Sequence, residues 1–309
     1  MNTLANHGYI PRNGIASFEE ITNAVVEAFN LEYTFAAFIA ANNMLTRGNP
    51  FINKLSIGGE SLLVPPLPGK IDGPVTGGIA KHGRFEGDAS ITRADAFIGD
   101  NVNFQDILYD MALLQLGKLG DDGPDGNNTV FNIETIVALK KLNIMTSQTT
   151  NPKFEFAARR MFAAYGEASF LLNAFVNGTT KQATLPIMSS FFRNQTFPPN
   201  WYRAASPVSI ALTVETVGHI LNGVPVQPGR NDAQGRYVPD PAPPPPFNSS
   251  FPCSAYYDQL ANTPAVLAHT TGIFKRNVDL LAGAEFKFFS LASPPGCNQE
   301  LMPFGSAGV

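Results

Sequence analysis

In the stretch Arg159-Arg160-Met161-Phe162-Ala163-Ala164-Tyr165-Gly166-Glu167-Ala168-Ser169-Phe170, an arginine and a glutamate stand seven residues apart. A helix turns about 100° per residue, so Arg160 and Glu167 would share one face, roughly 10 Å apart along the axis. Phe170 falls beside Glu167 on that face, and the small residues Ala163 and Gly166 leave room for something flat and bulky. A carboxylate can take up and return a proton, and a guanidinium can offset negative charge that develops nearby. The same pattern also fits a helix carrying two solvated charges.

A second group lies upstream, in Phe85-Glu86-Gly87-Asp88-Ala89-Ser90. Glu86 offers a carboxylate, Gly87 an unshielded carbonyl and Ser90 a hydroxyl. These hard oxygen donors suit Mg²⁺ or Mn²⁺ and leave octahedral positions open for water or an anion. A simple acidic turn is the plain alternative.

The elements that must position these groups read as helices joined by long loops. A short helix begins at Asn2 or Thr3 and stops at Gly8 and Pro11. Ser17-Phe18-Glu19-Glu20 is a capping box, followed by Ile21, Ala24, Val25, Ala28 and Phe29 at helical spacing. A second apolar helix runs over 32–45, with Phe35, Phe38 and Ile39 as core candidates. Residues 56–84 form a Gly/Pro-rich loop. A short helix is expected over 91–98 and a longer one marked by Phe104, Ile107, Leu108, Met111 and Leu114. A turn region follows at 117–128. Further helices are expected from Ile133 to near Ser147, over 154–176, 184–193, 207–221 and 264–283. Pro225–Asn231 reads as a rigid turn, and Pro243–Pro246 as surface polyproline II. The pattern predicts a mainly α, single-domain chain over 1–309 with little β structure.

Charged residues make up only 15% of the chain and the net charge is −4, without a basic block, which argues against nucleic acid and anionic membranes as partners. No apolar run is long enough to span a bilayer. Four N-x-S/T sequons, at Asn127, Asn177, Asn194 and Asn248, point to a secreted glycoprotein. In that setting the cysteine pair Cys253 and Cys297 suits a bridge, which would close a loop of roughly 45 residues worth about 3–4 kcal/mol. Residues 1–16 lack the charged and apolar regions of a signal peptide. The expectation is therefore a mature or incomplete sequence.

Four stretches occur in a fixed order: Asn2-Thr3-Leu4-Ala5-Asn6-His7-Gly8-Tyr9-Ile10-Pro11-Arg12-Asn13-Gly14, Glu86-Gly87-Asp88-Ala89-Ser90, Arg160 with Glu167, and Gln227-Pro228-Gly229-Arg230-Asn231. Together they resemble the fungal haem-thiolate peroxygenases, relatives of chloroperoxidase, and specifically their long-chain branch. The resemblance covers essentially the whole chain. It implies a multi-helix haem peroxidase fold, haem b as cofactor, and hydrogen peroxide with small aromatic and aliphatic compounds as substrates. It implies that Glu86, Gly87 and Ser90 hold Mg²⁺ (or Mn²⁺) that bridges to a haem propionate. Glu167 and Arg160 would be the acid–base and charge-stabilising pair. Phe85 and Phe170 would line the substrate channel, with Leu31 where the family has a third aromatic and Ala163 keeping the entrance open. Cys253 and Cys297 match the family's C-terminal disulfide, and the family includes monomers and dimers.

One departure stands out. The family's axial ligand is a cysteine in a Pro-Cys-Pro motif just before the Asn-Thr-Leu-Ala segment, and this chain has no cysteine there. The resemblance implies that the segment carrying it lies outside the present sequence. In a form without a thiolate, His7, near Asn2 in the haem-proximal segment, would be an alternative iron ligand or a structural hydrogen-bonding group. One-electron peroxidase or halide oxidation, and haem binding without catalysis, are the competing functions.

Overall fold

The computed structural model describes residues 1–67, 78–80 and 87–298. They group into two compact units, one built from Met1–Phe85 with Pro241–Val309 and the other from Glu86–Asp240. Among the described residues there are ten α-helices and only short strands, the mainly α architecture expected from the pattern.

The first unit begins with α1 (Asn2–Asn6), β1 (Ile15–Ala16), α2 (Phe18–Phe29), α3 (Tyr33–Arg47) and β2 (Leu55–Ser56). The capping box at the start of α2 forms in both directions. Glu20 N–H donates to Ser17 Oγ at 3.2 Å, and Ser17 N–H donates to Glu20 Oε2 at 2.7 Å. The periodic face Ile21, Ala24, Val25, Ala28 and Phe29 is buried, as its spacing requires.

The second unit contains α4 (Asp106–Leu119), β3 (Asp121–Gly123), β4 (Gly126–Phe131), α5 (Ile133–Thr150), β5 (Glu155–Phe156) and α6 (Ala158–Asn173). It continues with β6 (Ala183–Thr184), α7 (Leu185–Ser189) running into a π turn, α8 (Ile210–Gly223), β7 (Gly229–Asn231) and β8 (Tyr237–Pro239). Two small antiparallel sheets form, in the orders β3-β4-β6 and β5-β7-β8. Three expectations change here. Residues 91–98 are turns, not a helix, because the Thr92 carbonyl accepts from the Gln105 N–H at 3.0 Å and the Ala94 N–H donates to the Asp100 carbonyl at 3.1 Å, bonds that leave the helical ladder. Of the turn region expected at 117–128, residues 117–119 complete α4 and the rest belongs to the β3–β4 hairpin. In α4 the buried face is Tyr109, Ala112 and Leu116, while Ile107 and Leu114 are exposed.

The chain then returns to the first unit with α9 (Phe251–Ala261) and α10 (Gly272–Ala292). The helix expected over 264–283 is thus α10, which starts later, after a 3₁₀ turn at Ala265–His269, and α9 is a helix the pattern did not predict. Pro252 opens α9 near its first position, where a missing N–H costs nothing. Gly272, at φ +59°, starts α10 after a break. Pro243–Pro246 contains a cis bond between Pro245 and Pro246 and turns rather than extending as polyproline II. Cys253 in α9 is bonded to Cys297. Aromatic rings hold the helices together: Phe38 of α3 stacks on Phe288 of α10 at 3.9 Å, and Tyr256 of α9 meets Phe289 at 5.7 Å.

Candidate active site

Helix α6 carries the two charged residues, and its back is fixed first. Alanines at 158, 163, 164 and 168 favour helix. Tyr165 is fully buried; its hydroxyl donates to the Val224 carbonyl at 2.6 Å, and its ring lies 6.3 Å from Phe156. Asn173 donates to Thr216 of α8 at 3.0 Å. With Tyr165 turned inward, helical geometry directs Arg160, Ala163, Gly166, Glu167 and Phe170 to the other side. Glu167 and Phe170 are half-buried and Ala163 is buried. A Cβ built on Gly166 meets nothing within 4 Å among the described residues. A glycine inside a helix costs about 1 kcal/mol relative to alanine, so it stands here as the one bare spot on the functional face.

The second group is held by α5. Lys140, Asn143, Ser147 and Asn151 recur at helical spacing and face the Gly87–Ser90 loop and Asp95. Buried Lys140 Nζ donates to the Ala89 carbonyl at 2.9 Å, and Asn143 Nδ2 to the Ser90 carbonyl at 3.1 Å. Ala89 N–H donates to Asp95 Oδ1 at 2.9 Å, which also accepts from Ser147 Oγ at 3.0 Å. Asn151 Nδ2 donates to Asp88 Oδ2 at 3.2 Å and to Asp95 Oδ2 at 3.0 Å. These bonds hold Ala89 at φ +60°, a conformation disfavoured for a residue with a Cβ.

The two groups meet at Arg160. Its guanidinium lies 3.3 Å from Glu155 Oε2 and 3.9 Å from Asp88 Oδ2. A Cβ on Gly87 would come within 2.9 Å of Arg160 Cδ, so the glycine lets the arginine pass against the loop. Arg160 Nε is buried without a hydrogen-bond partner among the described residues. Burial, reinforced by the charge of Asp95, pushes Asp88 up to about 6; the Glu155 N–H and Arg160 oppose this without overcoming it. Glu155 behaves in the opposite way. Burial raises it, but Arg160, Arg159 and Arg230 together hold it below the usual carboxylate range. The last stretch of the resemblance also arrives here. β5 pairs with β7 so that Glu155 faces Arg230, and Asn231 Nδ2 donates to the carbonyls of Gln148 and Asn151.

The structure therefore brings Gly87, Ser90, Arg160, Ala163, Glu167 and Phe170 into one unit. Phe85 and Glu86 lie outside the described residues. Leu31 is buried in the first unit. In the same unit Asn2 opens α1 and His7 closes it, both exposed. Sequence reasoning missed Asp88, Asp95, Lys140, Asn151 and Glu155. The i, i+4 spacing of Glu155 to Arg159 was the one readable signal among them.

The profile of the family described as peroxidase, family 2 matches residues 1–206. An aromatic peroxygenase from Cyclocybe aegerita is 34% identical over 99% of this chain and 78% of its own. An aromatic peroxygenase from Coprinellus radians is 37% identical over 66% of this chain and 76% of its own. The chain belongs to peroxidase family 2. It is an oxidoreductase acting on peroxide, of peroxygenase or peroxidase type.

The family implies haem. The face of α6 fits one side of such a group: a bare glycine, an aromatic, a carboxylate and a guanidinium whose buried Nε has no hydrogen-bond partner among the described residues. The thiolate side does not come from this chain's cysteines, since both are in the disulfide. For a divalent ion, the described residues hold no group of three His, Cys, Asp or Glu. An ion at the Gly87–Ser90 loop would rely on the Gly87 carbonyl, the Ser90 hydroxyl, Glu86 and an anion or water.

Proposed function

We propose that this chain is a secreted peroxygenase that uses hydrogen peroxide to transfer oxygen to small aromatic and aliphatic substrates, by hydroxylation or epoxidation. The observation that carries the reading is the single face of α6, where Arg160 and Glu167 flank the open position at Gly166. Haem b, when bound, supplies the redox centre. Glu167 takes a proton from one oxygen of the peroxide and returns it to the other, so that the O–O bond can break with water as leaving group. Arg160, fixed by Glu155 and Asp88, offsets the negative charge that develops on the peroxide. Ala163 and Phe170 present an apolar surface to the substrate. Mg²⁺ held by Glu86, Gly87 and Ser90 would anchor an anionic edge of the cofactor. The disulfide supports secretion, and so does the exposure of Asn127 and Asn194.

A second reading is one-electron peroxidase chemistry or haem binding without catalysis. It applies to a form with no thiolate on the iron, since Cys253 and Cys297 are bonded to each other and a thiolate is what pushes electron density toward O–O cleavage and oxygen transfer. The full chain loaded with haemin and given ¹⁸O-labelled hydrogen peroxide separates the two. Label in the hydroxylated product establishes oxygen transfer; unlabelled radical-coupled dimers establish the one-electron route. Glu167→Gln is expected to lower peroxide turnover by about 10²–10⁴-fold. Unchanged turnover would remove Glu167 from its role.

A further inference from the structure

The first unit buries a second polar cluster that the peroxide chemistry does not use. Asn42 of α3, Tyr256 and Gln259 of α9 and Glu285 of α10 are each 0–1% exposed. Seven of their side-chain atoms have no hydrogen-bond partner among the described residues: both of the Asn42 amide, both of the Gln259 amide, both Glu285 oxygens and the Tyr256 hydroxyl. Native interiors rarely tolerate this, because an unpaired buried polar atom costs about 1–3 kcal/mol.

Helix register brings the four together. Phe38 stacks against Phe288 and Phe289, and Asn277 of α10 donates to the Pro50 carbonyl, so α3 and α10 run antiparallel. One turn beyond Phe38 is Asn42, and one turn before Phe289 is Glu285, which places these two at one level. Asn42 faces the Glu285 carboxyl and slightly favours its charged form, though not in hydrogen-bond geometry. On α9, Tyr256 lies against Phe286 and Phe289 and senses the charge of Glu285. Gln259 follows Tyr256 by three residues on the same face.

We propose that α3, α9 and α10 enclose an internal hydration site, in which ordered water binds among Asn42, Tyr256, Gln259 and Glu285. The chemistry of the lining selects water over an ion. A bare cation would satisfy the oxygens and leave the Asn42 and Gln259 N–H donors unpaired. An anion would take up the N–H and O–H donors and leave the amide oxygens of Asn42 and Gln259 unpaired. Water donates and accepts, and at about three bonds each, two or three molecules would match the unpaired atoms. Burial alone lifts Glu285, to about 8, and no charged group on α3, α9 or α10 counters it. Burial first, then the charge of Glu285, lifts Tyr256 above its ordinary range. The site therefore holds a neutral acid at neutral pH. Because the folded carboxyl titrates above the unfolded one, its stabilisation is full below about pH 4.5 and is lost as pH rises toward 8.

The test pairs a crystal structure of the full chain, at a resolution that shows water, with urea unfolding of the parent and Glu285→Gln from pH 5 to 9. We expect ordered water bonded to at least two of the four side chains. We also expect the parent's folding constant to fall by roughly several hundredfold relative to Glu285→Gln across that range. A cluster closed dry by direct side-chain bonds would overturn the proposal, as would a metal ion at about 2.4 Å from the oxygens. Parallel pH profiles for parent and variant would overturn it as well.

Discussion

Glu155→Gln tests whether Arg160 is held in place by charge. The Glu155 carboxylate accepts a hydrogen bond from Arg159 at 2.9 Å and lies 3.3 Å from Arg160 and 4.0 Å from Arg230. Glutamine keeps the shape and can still accept the Arg159 bond, but the charge is gone. A bond to a charged acceptor is worth about 1 kcal/mol more than one to a neutral amide, which sets the loss at Arg159. The loss at Arg160 is at least as large, because that guanidinium is only 15% exposed and, among the described residues, keeps as its remaining acidic partner Asp88, at 3.9 Å. Arg230 is half-exposed and already holds Asp240 in two bonds, so its share is below about 0.5 kcal/mol. The sum is about 2–3 kcal/mol.

Urea unfolding at pH 7, in low and in 1 M salt, measures this directly. Part of the loss should persist in high salt, because Arg160 is screened little by ions it cannot meet. The pH dependence has a definite sign. Glu155 titrates below its unfolded value, so its stabilisation is present above about pH 4.5 and is lost as pH falls through the folded pKa. Parent and variant should converge in acid. Peroxide turnover should fall with stability intact at low temperature, since a released Arg160 no longer faces the substrate in one geometry. A loss below about 0.5 kcal/mol, matching that of Asp279→Asn in the exposed Lys275–Asp279 pair, would refute the reasoning. A gap that widens in acid would also refute it.

Two further outcomes follow from the same structure. Cys253 and Cys297 are 44 residues apart, so removing the bridge with Cys253→Ser and Cys297→Ser should cost about 4 kcal/mol in urea unfolding; a loss under about 1 kcal/mol would show that the reduced chain already holds this loop closed. Of the four sequons, Asn127 and Asn194 are exposed, whereas the side-chain nitrogens of Asn177 and Asn248 donate to Asn200 and Gly296 carbonyls at 2.9 Å. Glycopeptide mapping of protein secreted from a eukaryotic host should find sugar at the first pair and little at the second; the reverse pattern would contradict this assignment.

Local signals were the legible part of the fold. The Ser17–Glu20 box and the α2 face could be read because cap and periodicity lie within a few residues of each other. Helix α9 was missed because it follows directly on the proline run, while the first-turn tolerance for proline lets Phe251–Ala261 form a helix with Pro252 at its start. Residues 91–98 misled for a related reason: Asp95 spends its backbone on tight turns and its carboxylate on Ala89 and Asn151, and those partners are not visible in the local pattern. At the site, Arg160 and Glu167 were legible because helical spacing alone puts them on one face. Lys140 was not, since it reads as one more polar residue on α5. Only the fold shows its amine buried against the Ala89 carbonyl, 51 residues away in sequence.

The co-occurrence of the short stretches has a physical reason in the second unit. Three of them, far apart in sequence, end on one residue, Glu155. The Gly87–Ser90 loop sends Asp88 to accept the Glu155 N–H at 3.0 Å. Helix α6 sends Arg159 and Arg160 to the Glu155 side chain. The Gly229–Asn231 strand sets Arg230 opposite Glu155 in the sheet, and Gly229 is required there because a Cβ would come within 2.4 Å of the Val238 carbonyl. Each stretch is weak alone: an acidic turn, a charged helix, a glycine turn. Joined at Glu155, they form one electrostatic unit with Arg160 at its centre. Altering any of them should therefore be felt first in the placement of that arginine, whatever else it does to the fold.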